Sequence, residues 1–136
     1  MTSSRPPQAV VLAVVAVGGA AGALLRLGLT TMFPDQPAGF PWTIFAVNVA
    51  GCFVLALLPG LAVVRRSALL PPLLGAGFLG GFTTLSAYSE QARALVDTGH
   101  GGLAATYVVG TLAAGLLAVA VAARWAARRT PADEDE

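Results

Sequence analysis

Four stretches of mostly apolar residues, at about 9–32, 42–64, 68–92 and 103–123, occupy most of this 136-residue chain. A helix crosses a bilayer with about 20 such residues. Each stretch is long enough, so the pattern predicts an all-α membrane protein with four transmembrane helices. The polar punctuation agrees: "PDQPAGFP" (34–41), "RRSALLPP" (65–72) and "RALVDTGHGG" (93–102) carry the Pro, Gly and polar residues that mark turns. Residues 9–123 then form one membrane domain and 1–8 a short leading tail. Residues 124–136 form a charged tail, ending "RRTPADEDE", that is expected to be solvated and disordered.

Composition strengthens this picture. The chain is 56% apolar and only 11% charged, more apolar surface than one small soluble core could hide. The first run follows a single Arg5, as a signal peptide would, but three more runs follow and no clear cleavage site interrupts it. Cys52 is the only cysteine and His100 the only histidine, which excludes an intrachain disulfide and a thiol or imidazole metal cluster. A net charge of +1 favours neither nucleic acid nor a polybasic surface.

Charge placement adds an orientation. An even number of spans puts both termini on one side, and Arg5, Arg65, Arg66, Arg124, Arg128 and Arg129 share it; Arg93 alone lies near the opposite face. The positive-inside rule then predicts cytoplasmic termini and insertion mainly one way. No strong internal repeat relates the two halves. Gly18 and Gly22, and Gly77 and Gly81, stand four apart, a spacing that lets helices approach closely in lipid.

In hydrocarbon every polar group needs a partner, so polar residues at depth carry the information. Asn48 either glues helices together or lines a pathway. Tyr107 and Thr111 share a helical face, and a helical threonine can also bond back to the carbonyl one turn earlier. Arg26, near the far end of the first span, is expected to be a structural anchor that snorkels or pairs with a loop carbonyl. Glu90 is taken as the only acid close to a span. No span centre carries a carboxylate, which argues against proton-coupled transport.

The third stretch, "GAGFLGGFTTLSAYSEQ" (75–91), is the unusual one. Gly80 and Gly81 are poor helix formers, and Thr83, Thr84, Ser86 and Ser89 follow at once. A helix broken here would free carbonyls, hard neutral ligands that suit a cation such as Na⁺. A glycine-lined packing contact with locally satisfied hydroxyls is the alternative, and the residues alone leave both open.

"GFLGGFTTLSAYS" resembles the signature G-F-x-G-G-[aliphatic]-T-T-F-S-T-F-S of the small bacterial fluoride channels, the Fluc or CrcB family. "GGAAGALLRL", "TIFAVNVAGCFVLALLPG" and "TYVVGTLAAGLLAV" are similar to its first, second and fourth spans, so the resemblance covers nearly the whole chain. It implies an antiparallel, inverted dimer of four-helix subunits, each with its third helix broken near the middle. It also implies one structural, non-transported Na⁺ at the dimer centre, held by the backbone carbonyls of Gly80 and Thr83. The implied partners are the fluoride ion, the bilayer and a second subunit of opposite orientation, in a bacterial inner (plasma) membrane.

Fluoride holds its water tightly and enters a narrow pore only where donors replace that water. Asn48, Ser86, Ser89, Tyr107 and Thr111 offer such donors. Family members also turn phenylalanine edges, which are positive, toward the ion. Here those positions hold Leu85, which has no such edge, and Tyr88, which keeps the ring and adds a hydroxyl; the acid falls at 90 rather than 91. With the arginine asymmetry, these departures favour a heterodimer of oppositely inserted relatives over a dual-topology homodimer.

The implied function is passive export of fluoride that entered as neutral HF and was trapped by dissociation in the cytoplasm. Two other readings remain. One is a non-conducting accessory subunit. The other is a small multidrug antiporter, which would need a membrane-embedded carboxylate that the first span lacks. No span offers a nucleophile with its activator or an acid–base pair, so an enzyme is not expected.

Overall fold

The computed structural model describes residues 6–129. Residues 1–5 with Arg5, residues 130–136 of the expected disordered tail, and the side chain of Arg129 lie outside the described residues. Regular structure among the described residues is helical throughout. Helix α1 (Gln8–Met32) is continuous. Helix α2 (Trp42–Leu57) ends at Leu57 rather than at 64. Pro59 lacks an N–H to continue the ladder, so the chain tightens into a 3₁₀ turn (Leu58–Gly60) and leaves it through an extended Leu61, before a single turn, α3 (Ala62–Arg65).

The third apolar stretch is not one helix from 68 to 92. It runs as a wide π-helical segment (Pro72–Leu79), tightens into one α-turn, α4 (Gly80–Phe82), and leaves helical geometry at Thr83 and Thr84, whose ψ angles are 158° and 121°. Helix α5 (Leu85–Asp97) then resumes. It passes the expected limit of 92 because "ARALVD" keeps good helix formers, and it stops at Gly99. There a φ of 82° lets the His100 N–H reach the Leu95 carbonyl at 2.8 Å. Helix α6 (Gly101–Arg129) also overruns its expected end. Residues 124–129, assigned to the disordered tail, are its last turns, as the alanine-rich "RWAARR" favours.

Among the described residues three helical stretches, Gln8–Met32, Trp42–Gly60 and Gly101–Arg128, are long and apolar enough to cross a membrane by length and composition. The broken segment between them packs along α1, and α2 packs along α6. In both pairs the chains run the same way: Val15 meets Gly77 and Arg26 meets Gly81, while Phe40 meets Tyr107 and Gly60 meets Ala126. The glycine pairs create the first seam. A Cβ on Gly22 would collide with the Phe78 carbonyl, and one on Gly81 with the Gly19 carbonyl, so the two small-residue faces lie backbone against backbone.

Two buried clusters mark the ends. Leu58, Val64 and Leu79 close one, and Leu95, Ala104 and Tyr107 the other. The contact of Gly60 with Ala126 brings the turn bearing Arg65 and Arg66 to the end of the molecule that carries Arg124 and Arg128. Arg93 pairs with Asp97 one turn along α5, toward the other end.

Candidate ion pathway and cation site

The break at residues 83 and 84 is held by an exchange of hydrogen bonds with α2. Asn48 Oδ1 accepts from the Thr84 N–H at 2.9 Å, and Asn48 Nδ2 donates to the Thr84 carbonyl at 3.1 Å. The side-chain amide thus does for Thr84 what a neighbouring strand would do, satisfying both backbone groups where the helix cannot. Thr84 then starts α5 as its N-cap: its Oγ1 accepts from the Ala87 N–H at 3.1 Å.

These bonds decide which carbonyls are freed. In an unbroken helix the Gly80 carbonyl would take the Thr84 N–H, now given to Asn48, and the Thr83 carbonyl would take the Ala87 N–H, now given to Thr84 Oγ1. The Gly81 carbonyl, which would take the Leu85 N–H in an unbroken helix, accepts from Arg26 Nε at 3.2 Å. Gly80 and Thr83 line an open cavity of about 460 Å³ that also reaches Asn48, Tyr88 and Thr111. The oxygens they bring are hard and neutral. Among the described residues no three His, Cys, Asp or Glu side chains gather to hold a metal; backbone carbonyls of this kind would fit a weakly charged hard cation.

The predicted pathway residues separate into groups. Asn48, Tyr88 and Thr111 line the cavity, with Leu85 at its rim and 77% exposed. Ser86 and Ser89 lie on the exposed side of α5, Ser86 with its Oγ 3.2 Å from Thr84 Oγ1. Tyr107 is fully buried, packed edge-on against Phe40 and 5.1 Å from the Tyr88 ring. Several hydroxyl protons are engaged within the chain: Tyr88 donates to the Val108 carbonyl at 3.0 Å and Thr111 to the Tyr107 carbonyl at 2.7 Å. Asn48 differs, because its Nδ2 carries a second proton beyond the one given to Thr84.

Sequence reasoning missed a polar chain beside this site. Tyr107 donates to Gln91 Oε1 at 3.0 Å, Gln91 Nε2 faces Asp35 Oδ2 at 3.4 Å, and Asp35 Oδ1 accepts from the Thr43 N–H at 3.0 Å. Glu90 is therefore not the only acid close to a span: Asp35, in the loop before α2, bonds the first turn of that helix. The signal available was spacing. Gln91 stands one helical turn beyond Tyr88 and two beyond Thr84, on the face of α5 that meets α6.

The family model described as CrcB-like protein, Camphor Resistance (CrcB), matches residues 13–123. The chain is 44% identical over 124 residues to "Fluoride-specific ion channel FluC 1" of Streptomyces coelicolor, covering 90% of this chain and 80% of the relative. It is 41% identical over 128 residues to "Fluoride-specific ion channel FluC 2" of Nocardia farcinica, covering 89% and 90%. A third relative, "Fluoride-specific ion channel FluC 2" of Streptomyces avermitilis, is 46% identical over 107 residues, 77% of this chain and 68% of its own length. Matched from within α1 to within α6, with its helix break inside the matched region, this chain belongs to the CrcB family.

Proposed function

We propose that this chain is a subunit of a fluoride-specific channel that lets fluoride leave a bacterial cell passively across its plasma membrane. The observation that carries the reading is its 44% identity, over 90% of its length, to a relative named as such a channel. The geometry supports it at the break, where Asn48 keeps one amide proton in reserve beside an open cavity. Such a donor can replace part of the water that a small, strongly hydrated anion must shed, while a neutral amide binds too weakly to trap it.

The assembly is an inverted pair of four-span subunits with cytoplasmic termini in the main orientation, the third span being the broken segment. Gly80 and Thr83 supply two carbonyls to a structural Na⁺ shared with the second subunit. Held there, such an ion would satisfy the freed carbonyls and link the two breaks. A heterodimer with an oppositely inserted relative is favoured over a homodimer, because the arginines crowd one end and Leu85 brings no aromatic edge to the cavity.

The test is flux. Liposomes holding this chain with its oppositely inserted relative are expected to release fluoride and retain chloride. Chloride release as fast as fluoride release would remove the selectivity from the reading.

A further inference from the structure

We infer that Asp35 is a positioning residue: acting through Gln91, it fixes which way the buried Tyr107 hydroxyl gives its proton. Its effect on transport rests on the channel function proposed above; the hydrogen-bond chain stands on the geometry alone.

The argument is one of donors and acceptors. Asp35 as a carboxylate can only accept, so the group facing its Oδ2 at 3.4 Å must be the Gln91 amide nitrogen. The flipped amide would set two acceptor oxygens against each other. With the nitrogen held there, Gln91 Oε1 faces Tyr107, 3.0 Å away, and the phenol has one proton to give. Tyr107 is fully buried, so no water offers that proton another acceptor. A tyrosine expected to donate to the passing anion is thereby committed to Gln91. Asp35 is itself held in register, because its other oxygen accepts the Thr43 N–H in the first turn of α2.

Asparagine at position 35 keeps an acceptor for Thr43 but brings an amide that can donate to Gln91 Oε1. Gln91 can then turn its nitrogen to Tyr107, so the phenol becomes an acceptor and loses the partner that took its proton.

Tyr88→Phe leaves Tyr107 as the only tyrosine of this chain, so with isotope-labelled tyrosine confined to this subunit the infrared C–O stretch of its phenol can be read in the assembled protein. In that background both Asp35→Asn and Gln91→Met are expected to shift the band away from that of a donating phenol. Gln91→Met leaves the Asp35–Thr43 bond intact, which keeps the measurement free of any change at the start of α2. In the otherwise native chain, Asp35→Asn is expected to slow fluoride efflux about fivefold, the worth of one redirected hydrogen bond, felt at the cavity through the Tyr88 ring 5.1 Å from Tyr107. It should have no further effect when Tyr107 is replaced by Phe. An unmoved band overturns the inference, and so does an equal slowing in the Tyr107→Phe background. If the unsubstituted channel passes no fluoride, the functional reading fails, while the band still decides the role of Asp35.

Discussion

At the scale of single residues, the chain's most informative side chain is Asn48, because one amide answers two questions that its sequence position leaves open. It is glue, in that it closes both backbone groups of Thr84, and it also borders the cavity. Asn48→Ala is therefore expected to lower stability by about 2 kcal/mol, since Thr84 loses two partners at once; thermal unfolding in detergent reads this directly. Asn48→Asp is more discriminating. Aspartate keeps the acceptor for the Thr84 N–H but opposes the Thr84 carbonyl and adds a negative charge at the cavity. It should block fluoride flux while costing no more stability than alanine, and unchanged flux would take residue 48 out of the pathway. The partners of Asn48, Tyr107 and Gln91 were not legible in the sequence, because each lies on a different element and only packing brings them together.

At the scale of elements, the legible features were those written in local chemistry. The break, which the residues left open and the family resemblance implied, falls at the two threonines after a glycine pair that stays helical, and the close seam follows from glycines spaced one turn apart on α1 and on the segment beside it. The element ends were less legible. Pro59 and Gly99 end their helices by backbone geometry that a count of apolar residues does not register, and the π-helical winding of Pro72–Leu79 has no compositional mark. The seam can be tested with two glycines of the same helix. Gly22→Ala drives a methyl into the Phe78 carbonyl and should cost about 1–3 kcal/mol by forcing α1 away from the break. Nothing lies within 4 Å of a Cβ on Gly28, so Gly28→Ala should be neutral or stabilising by about 0.5–1 kcal/mol. Equal losses at both positions, measured by unfolding in detergent, would mean that helix flexibility and not close approach is what the glycines provide.

At the scale of the whole molecule, one chain is an incomplete wall. Its cavity is open, with Leu85 77% and Leu112 64% exposed at its edge, and two carbonyls of the break have given up their helical donors beside it. Lipid can cover leucines but cannot satisfy carbonyls, a task that the proposed second subunit and shared cation would perform. The charge distribution bears on what that partner is. Arg65, Arg66, Arg124 and Arg128 gather at one end, and Arg93 at the other is paired with Asp97, so a single polypeptide has little electrostatic reason to insert both ways. Under the proposed inverted pairing, the second chain would carry the opposite bias. Reporter fusions at the C-terminus should accordingly register only the cytoplasmic side. Liposomes made with this chain alone should hold their fluoride, and adding the oppositely inserted relative should empty them. Efflux from the single-chain liposomes, with reporters found on both sides, would instead establish a dual-topology homodimer, in which Leu85 faces the pathway without help from a partner's aromatic ring.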